Sequence, residues 1–489
     1  MPLPASFKSP VFHRPAISAA IAVALAFLAP SFRPLAAAAE RPNIVLVMAD
    51  DQGWGDMAYN GHPTLQTPNF DEAASSGLRF DRFYAAAPVC SPTRASVLTG
   101  RHPNRMGVFQ WGFPMRPQES TIAEALQQAG YATAHFGKWH LGSVRRTSPA
   151  HPGRNGFDHW VSAPNFYDND PILSHAGTAV QETGESSMVA VDAAIDWFDQ
   201  PRPEQQPVFA VIWFGSPHSP HRAAPEDRAL YADQPPAQQN FLGEVTGMDR
   251  AFGKLRQHLQ ESGEWENTIL WYCSDNGGLP RVGSTGDFRG DKGDVYEGGL
   301  LVPAFVEWPA VIDQPHIVKT RCSTCDFYPT LLEATGIAPD PSRPLDGVSL
   351  LPLIAGKTSP RSRPLGFWDM AIRGISTPSA AWMAELLKAQ QAGRDLPPHP
   401  SSQQAAALPA PPYPNDQFPG HAAWTDGDWK LHRIENKQGK VRWELYHLDE
   451  DPRETEDLAA SEPAVVKRPQ PAMQSWLTSV VNSCNGGDY

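Results

Sequence analysis

The stretch Asn43-Ile44-Val45-Leu46-Val47-Met48-Ala49 is apolar beyond its first residue and breaks off at Asp50-Asp51-Gln52-Gly53. A strand buried on both faces reads this way, and such strands belong to parallel sheets covered by helices. Three further units repeat the plan: Tyr131 to Phe136 after the helical stretch Thr121 to Ala129, Val208 to Phe214 after Met188 to Phe198, and Thr268 to Cys273 after Asp249 to Ser262. Helix and strand alternate, which predicts an α/β fold built on a large, doubly wound, mixed or mostly parallel sheet flanked by helices. Ligands of such sheets gather at the carboxyl ends of the strands. Past about residue 360 the texture changes. Alternating runs from Trp429 to Arg433 and from Arg442 to Tyr446, separated by Asn436-Lys437-Gln438-Gly439, predict a hairpin in a small C-terminal antiparallel sheet. Residues 395–420 are rich in Pro, Ala, Gln and Ser without periodicity, and read as a long surface insertion or a lid.

The first 39 residues read as a secretory signal peptide. Lys8, His13 and Arg14 precede an apolar run from Ala16 to Ala29, and Ala37-Ala38-Ala39 offers a small-residue cleavage site before Glu40. The alternative is an uncleaved anchor, but the run is shorter than the roughly 20 apolar residues of a spanning helix. The expectation is a secreted or periplasmic protein with no stable membrane span. The net charge is −13, and loss of residues 1–39 removes Lys8, Arg14 and Arg33 but no acid. Such a balance argues against a general nucleic-acid binder, and any anionic substrate needs a local cationic pocket. Five cysteines are too few for a disulfide scaffold in 489 residues. The lone pair Cys322 and Cys325 is expected to be a local disulfide or two packed thiols, and Cys273 a buried strand residue.

Two acidic clusters end predicted strands: Asp50 with Asp51, and Asp275 with Asn276 in Ser274-Asp275-Asn276-Gly277-Gly278. Either alone is also a turn signal. Brought together above a sheet, they give three carboxylates and an amide oxygen with no imidazole or thiolate. That donor set calls for a hard cation, Ca²⁺ or Mg²⁺ rather than Zn²⁺. A third stretch is Pro88-Val89-Cys90-Ser91-Pro92-Thr93-Arg94, followed by Leu98-Thr99-Gly100-Arg101. Ser91 is expected to cap a helix with Pro92 at its first position, which sets Cys90 at a helix N-terminus where anions are favoured and Arg94 can reach back. On the residues alone, Cys90 reads as an activated thiolate or as a buried cysteine beside a cap.

Cys90-Ser91-Pro92-Thr93-Arg94 with Leu98-Thr99-Gly100-Arg101 resembles the C-x-P-x-R…L-T-G-R signature of the formylglycine-dependent sulfatases, in the alkaline-phosphatase-like superfamily. The resemblance extends, in order, to Asp50-Asp51-Gln52-Gly53, Gly137-Lys138-Trp139-His140-Leu141-Gly142, Ser216-Pro217-His218, Ser274-Asp275-Asn276-Gly277 and Lys292-Gly293…Tyr296-Glu297-Gly298-Gly299. Glu444-Leu445-Tyr446…Leu448…Asp451-Pro452…Glu454 is similar to the small closing domain of that family. One position departs: Leu301 stands where many relatives carry Arg in an E-G-G-x-R-V-P run.

The resemblance implies a catalytic domain at 40–360 and a C-terminal subdomain at 361–489 that carries the insertion. It implies that a maturation enzyme converts Cys90 to formylglycine, whose hydrate attacks sulfur with one hydroxyl and then releases sulfate by loss of a proton from the other. Asp50, Asp51, Asp275 and Asn276, with residue 90, would hold Ca²⁺, or Mg²⁺. Lys138, His218 and Lys292 would bind the sulfate, His140 would act as base, and either His218 or Lys292 would protonate the leaving alcohol. Arg94, Lys138 and Lys292 supply the local positive charge. Lys138 and His140 are two apart, so an extended chain would put them on one face. Asn165, in Asn165-Phe166-Tyr167-Asp168-Asn169, lies where relatives contact the group bearing the sulfate, and its polar and aromatic setting suits a sulfated carbohydrate. His102, His135 and His221 are expected to be ordinary histidines. The alternatives are a phosphoesterase or phosphonate monoester hydrolase of the same superfamily, and a non-catalytic protein that binds sulfated glycans.

Overall fold

The computed structural model describes residues 41–489, so the expected signal peptide lies outside the described residues. Strands are numbered in chain order. From edge to edge the first sheet runs β10 (His316–Val318), β2 (Leu78–Tyr84), β9 (Leu301–Glu307), β8 (Thr268–Ser274) and β1 (Asn43–Ala49). It continues through β7 (Val208–Trp213), β3 (Ala132–Lys138), β4 (His159–Ala163), β5 (Ile172–His175) and β6 (Thr178–Gln181), while a short β11 (Cys322–Ser323) also pairs with β2. The centre, β8-β1-β7-β3-β4, is parallel throughout. Antiparallel strands β9 and β5 flank it. The sheet is therefore the mixed, mostly parallel one that the sequence predicts.

Burial of β1 explains its composition. Ile44, Leu46 and Met48 enter one apolar core, while Val45, Val47 and Ala49 enter the other on the opposite face. Each large side chain removed from water contributes about 1.5–3 kcal/mol. The second core is closed by helices Ser186–Phe198 and Pro236–Glu261, the first by Cys90–Thr99, Ile122–Gln128 and Phe327–Thr335.

The second sheet is antiparallel, in the order β12 (Leu365–Asp369), β13 (Gly420–Asp426), β14 (Trp429–Glu435), β15 (Val441–His447). The turn between β14 and β15 falls at the expected residues, with Asn436 N–H donating to Lys440 O. Helix Gln470–Cys484 covers the sheet, packing Met473, Leu477 and Val480 with Trp424, Leu431 and Leu445. A buried charged joint ties the sheets together. Lys430 Nζ lies 2.8 Å from Glu297 Oε1 and 3.1 Å from Glu454 Oε1, and His432 Nε2 lies 2.7 Å from the same Glu454 oxygen. Leu301 joins the apolar cluster of Tyr84, Leu365 and Phe367. The Glu297 carboxylate is held by Lys430 and by the Tyr84 hydroxyl, which donates to Oε2 at 2.8 Å.

Between β12 and β13 the chain makes a long excursion. Helix Ser379–Gln391 lies on β5 and β6, where the Gln390 amide accepts from Ala179 N–H and donates to Gly177 O, both at 2.8 Å. The 395–420 stretch is laid along the body: Thr147 Oγ1 donates to Leu396 O, Arg145 to Pro397 O and Gln118 to Ala406 O. These bonds seat the stretch on the surface of the larger domain. All five cysteines are buried free thiols, so Cys322 and Cys325 are the packed pair and not a disulfide. Among the described residues no helix is long and apolar enough to cross a membrane.

Candidate active site

Four parallel strands end side by side and deliver the site. Asp50 and Asp51 follow β1, Asp275 and Asn276 follow β8, Lys138 ends β3, and Ser216-Pro217-His218 comes shortly after β7. The parallel ladder carries on past the strand ends, with Asp50 N–H donating to Ser216 O at 2.9 Å and Asp275 N–H to Ala49 O at 3.2 Å. The two acidic clusters therefore meet, as expected from sequence. Asp51 N–H donates to Asp275 Oδ1 at 3.0 Å, and Asn276 Nδ2 to Asp51 Oδ1 at 2.9 Å. Gly277 is required here, since a Cβ on it would sit 2.0 Å from Gly298 O.

Helix Cys90–Thr99 points its first turn at this cluster. The expected Ser91 cap is not made. The helix begins one residue earlier, at Cys90 after Val89, and Ser91 Oγ instead donates to His140 O at 2.7 Å and accepts from Gly112 N–H at 2.8 Å. Those two tertiary bonds outcompete the local cap. Pro92 still falls within the first turn, where its missing N–H costs nothing. Burial pushes the Cys90 thiol pKa up in spite of Lys138 and Lys292, so position 90 is not a ready thiolate.

The cations interlock with the acids. Arg94 grips Asp275 Oδ2 through Nε at 3.0 Å and Nη2 at 2.6 Å, and its Nη2 lies 3.6 Å from Asp50 Oδ1. Lys138 Nζ donates to Asp50 Oδ2 at 2.6 Å. Lys292 Nζ donates to Asp51 at 2.6–2.7 Å, and its loop is pinned by Lys292 N–H to Gly278 O and Gly293 N–H to Pro88 O. His218 Nε2 is 3.6 Å from Asp51 Oδ2, while its Nδ1 bonds Ser219 O and its ring stacks on Phe166 at 4.1 Å.

Lys138 and His140 both reach the site, but not by sharing the face of a strand. β3 ends at Lys138, and His140 has a left-handed φ of 53°. His140 is 2 % exposed; its Nε2 lies 3.0 Å from Thr377 Oγ1, and its Nδ1 is buried without a partner. Burial, then Lys138 and Arg94, hold its pKa well below the usual range, so the ring is neutral. Asn165 turns its amide nitrogen to Thr377, at 2.9 Å from Oγ1, and leaves its buried Oδ1 unpartnered. Thr377 was not legible in the sequence, because it stands in an unpatterned stretch 237 residues from His140. The three histidines expected to be ordinary are elsewhere engaged: His102 accepts from Asn104 N–H, His135 bonds Ser162, and His221 bonds Glu244.

A hard cation fits the oxygen cluster. Asp50 Oδ1 and Asn276 Oδ1 are buried with no hydrogen-bond partner, and Asp50, Cys90 and Asp275 offer ligand atoms within 4.8 Å of one another. Burial, offset by Lys138 but reinforced by Asp275 and Asp51, pushes Asp50 up to about 8. In Asp51 burial is outweighed by Lys292 and His218, which hold its pKa down. Three crowded carboxylates need further positive charge to ionise together, and oxygen donors suit Ca²⁺ or Mg²⁺.

A doubly wound sheet with an acid-lined, cation-ringed crevice at its strand ends is the arrangement that the resemblance to the alkaline-phosphatase-like hydrolases implies. The Sulfatase family model matches residues 42–337. The chain is 33 % identical over 363 residues to N-acetylgalactosamine-6-sulfatase of Canis lupus familiaris, covering 66 % of this chain and 67 % of that one. Against arylsulfatase A of Homo sapiens it is 32 % identical over 376 residues, covering 69 % and 73 %. A solved structure of Ps i-CgsB in complex with k-i-k-neocarrahexaose shares the fold, with a TM-score of 0.74 at 24 % identity over 89 % of this chain and 93 % of that one. The chain belongs to the sulfatase family and is a sulfuric ester hydrolase.

Proposed function

We propose that this is a secreted sulfatase of carbohydrate sulfate esters that acts through formylglycine at position 90 and a bound Ca²⁺, for which Mg²⁺ can stand in. The observation that carries the reading is the convergence of Cys90 with Asp50, Asp51, Asp275 and Asn276 under Arg94, Lys138 and Lys292. Asp50, Asp51, Asp275 and Asn276, with residue 90, would hold the ion. Formylglycine at position 90 would, once hydrated, offer a hydroxyl nucleophile, and the ion would supply charge that favours its ionised form.

The remaining work falls to the side chains. Lys138, Lys292 and His218 bind the sulfate oxygens and offset the charge that builds on them as the S–O bond breaks. His218 or Lys292 passes a proton to the leaving alcohol oxygen. His140, held neutral by its surroundings, takes a proton at Nδ1 from the hydroxyl that remains. Arg94 fixes Asp275. The catalytic domain is assigned to residues 40–360 and the C-terminal subdomain to 361–489.

Carbohydrate as the substrate is supported by the names of the relatives and by the rim. Phe166 lies against His218, Asp168 lies 3.5 Å from Arg222, and Trp111 is 37 % exposed. Aromatic faces with convergent polar groups suit sugar rings. Secretion is supported by the signal-like first 39 residues.

The test has two arms. The peptide spanning Cys90, from protein made alongside a formylglycine-generating enzyme, is expected to weigh less by the thiol-to-aldehyde difference. Sulfate release is then measured on sulfated glycans, aryl sulfates and phosphate esters, with Cys90→Ser expected to reduce it to background. Turnover of aryl sulfates with none of any glycan removes the carbohydrate assignment. Full activity with an intact thiol removes the mechanism.

A further inference from the structure

Residues 371–378 leave β12 and cross the rim of the site before entering helix Ser379–Gln391. A closed ring of hydrogen bonds ties this strap down. Ile375 N–H donates to Trp111 O at 2.9 Å, and the next residue, Gly112, donates its N–H to Ser91 Oγ at 2.8 Å. Ser91 Oγ donates to His140 O at 2.7 Å, and the His140 ring returns to the strap through Nε2 and Thr377 Oγ1 at 3.0 Å. The ring joins the strap to the residue after Cys90 and to the backbone and side chain of His140. Asn165 braces it from outside, donating to Thr377 O at 3.2 Å and to Oγ1 at 2.9 Å.

A threonine hydroxyl has two lone pairs and one proton. Asn165 Nδ2 uses one lone pair, and the other is available to a ring N–H. We propose that Thr377 is a positioning residue whose Oγ1 accepts the Nε2–H of His140 and thereby keeps the Nδ1 lone pair turned into the site as the proton acceptor. The proposal rests on the assignment of His140 as base. Three observations support it. The ring is 2 % exposed and its contact with Thr377 is its one side-chain hydrogen bond among the described residues, so that contact fixes how the ring is turned. The groups acting on the ring are cations, Lys138 and Arg94 foremost, and they favour an inward lone pair over an inward N–H. The strap is also held independently of Thr377, by Ile375 on Trp111, so the hydroxyl is delivered to a fixed place.

The test uses the full, matured chain with Thr377→Val, which keeps the shape and removes the hydroxyl, and Thr377→Ser, which keeps the hydroxyl. The valine variant is expected to lose about tenfold or more in kcat toward an aryl sulfate, a part of the roughly hundred- to ten-thousandfold that a general base contributes. Its KM should stay within about twofold, and serine should recover most of the rate. Nitrogen-15 spectra of the His140 ring give a readout apart from turnover. The wild type and serine variant should show a neutral ring protonated at Nε2, and the valine variant a mixture of tautomers. A kcat within twofold of wild type in Thr377→Val, a loss confined to KM, no recovery in Thr377→Ser, or a wild-type ring protonated at Nδ1 overturns the proposal. Should valine unfold the chain, Thr377→Ala replaces it with the same readouts. A matured wild type that releases no sulfate from any ester defeats the functional reading instead, and the ring spectra still decide the role of Thr377.

Discussion

Asp50 sits among groups that pull its charge in opposite directions. Burial and the neighbouring Asp275 and Asp51 favour the neutral acid, while Lys138 at 2.6 Å favours the anion. A cation at Asp50 Oδ1 and Asn276 Oδ1 would settle that conflict and should add to stability by mass action, about 2.7 kcal/mol at a hundredfold excess over Kd. Chelation is therefore expected to lower both activity and Tm, and Ca²⁺ to restore them. A Tm indifferent to chelator and to added Ca²⁺ would count against a cation here. These acids were legible in the sequence because an apolar run that stops at Asp-Asp marks the end of a buried strand. His140 was legible as a residue but not in its geometry. Alternation of faces holds only while the chain stays extended, and the chain leaves β3 at Lys138.

The strap and the Cys90–Thr99 helix meet at Gly112, which has φ 79° and whose Cβ would lie 1.9 Å from Ile375 O. Replacing it with alanine sets a left-handed penalty of about 1–2 kcal/mol against the contact that seats the strap. Gly112→Ala is expected to lower unfolding stability in urea by at least that amount and to reduce kcat through displacement of Thr377. Unchanged stability and rate would show that the strap seats without this contact. The four central strands β1, β3, β7 and β8 and the hairpin β14–β15 followed from their patterns, whereas the start of the helix did not. Ser91 has the chemistry of a cap, yet Gly112 and His140 claim its hydroxyl, and partners 21 and 49 residues away leave no trace in local sequence.

Across the whole molecule, the Asp346 carboxylate ties its own segment to two distant ones. It accepts from Arg105 Nε at 2.7 Å and Nη2 at 3.0 Å, from His102 N–H at 2.6 Å, and from Trp476 Nε1 of the C-terminal helix at 2.9 Å. Burial is outweighed by Arg105 and these hydrogen bonds, so its folded pKa lies below the ordinary value. A carboxylate with a depressed folded pKa contributes its stability above the unfolded pKa, near 4, and loses it as the pH falls further toward the folded value. Unfolding stability is expected to drop as pH falls below about 4, and Asp346→Asn should flatten that part of the acid slope while lowering stability at neutral pH. An acid slope unchanged in the variant would remove Asp346 as its source. The sequence by itself determined the parallel sheet, the acids at its strand ends and the closing hairpin, because each is written in local periodicity or in a run of adjacent residues. Only the tertiary structure decided that a strap from beyond β12 completes the site, that Lys430 balances Glu297, and that Asp346 ties the C-terminal helix to the core. Those are contacts between single side chains far apart in the chain, and their energy arises only once the two cores have excluded water and brought them together.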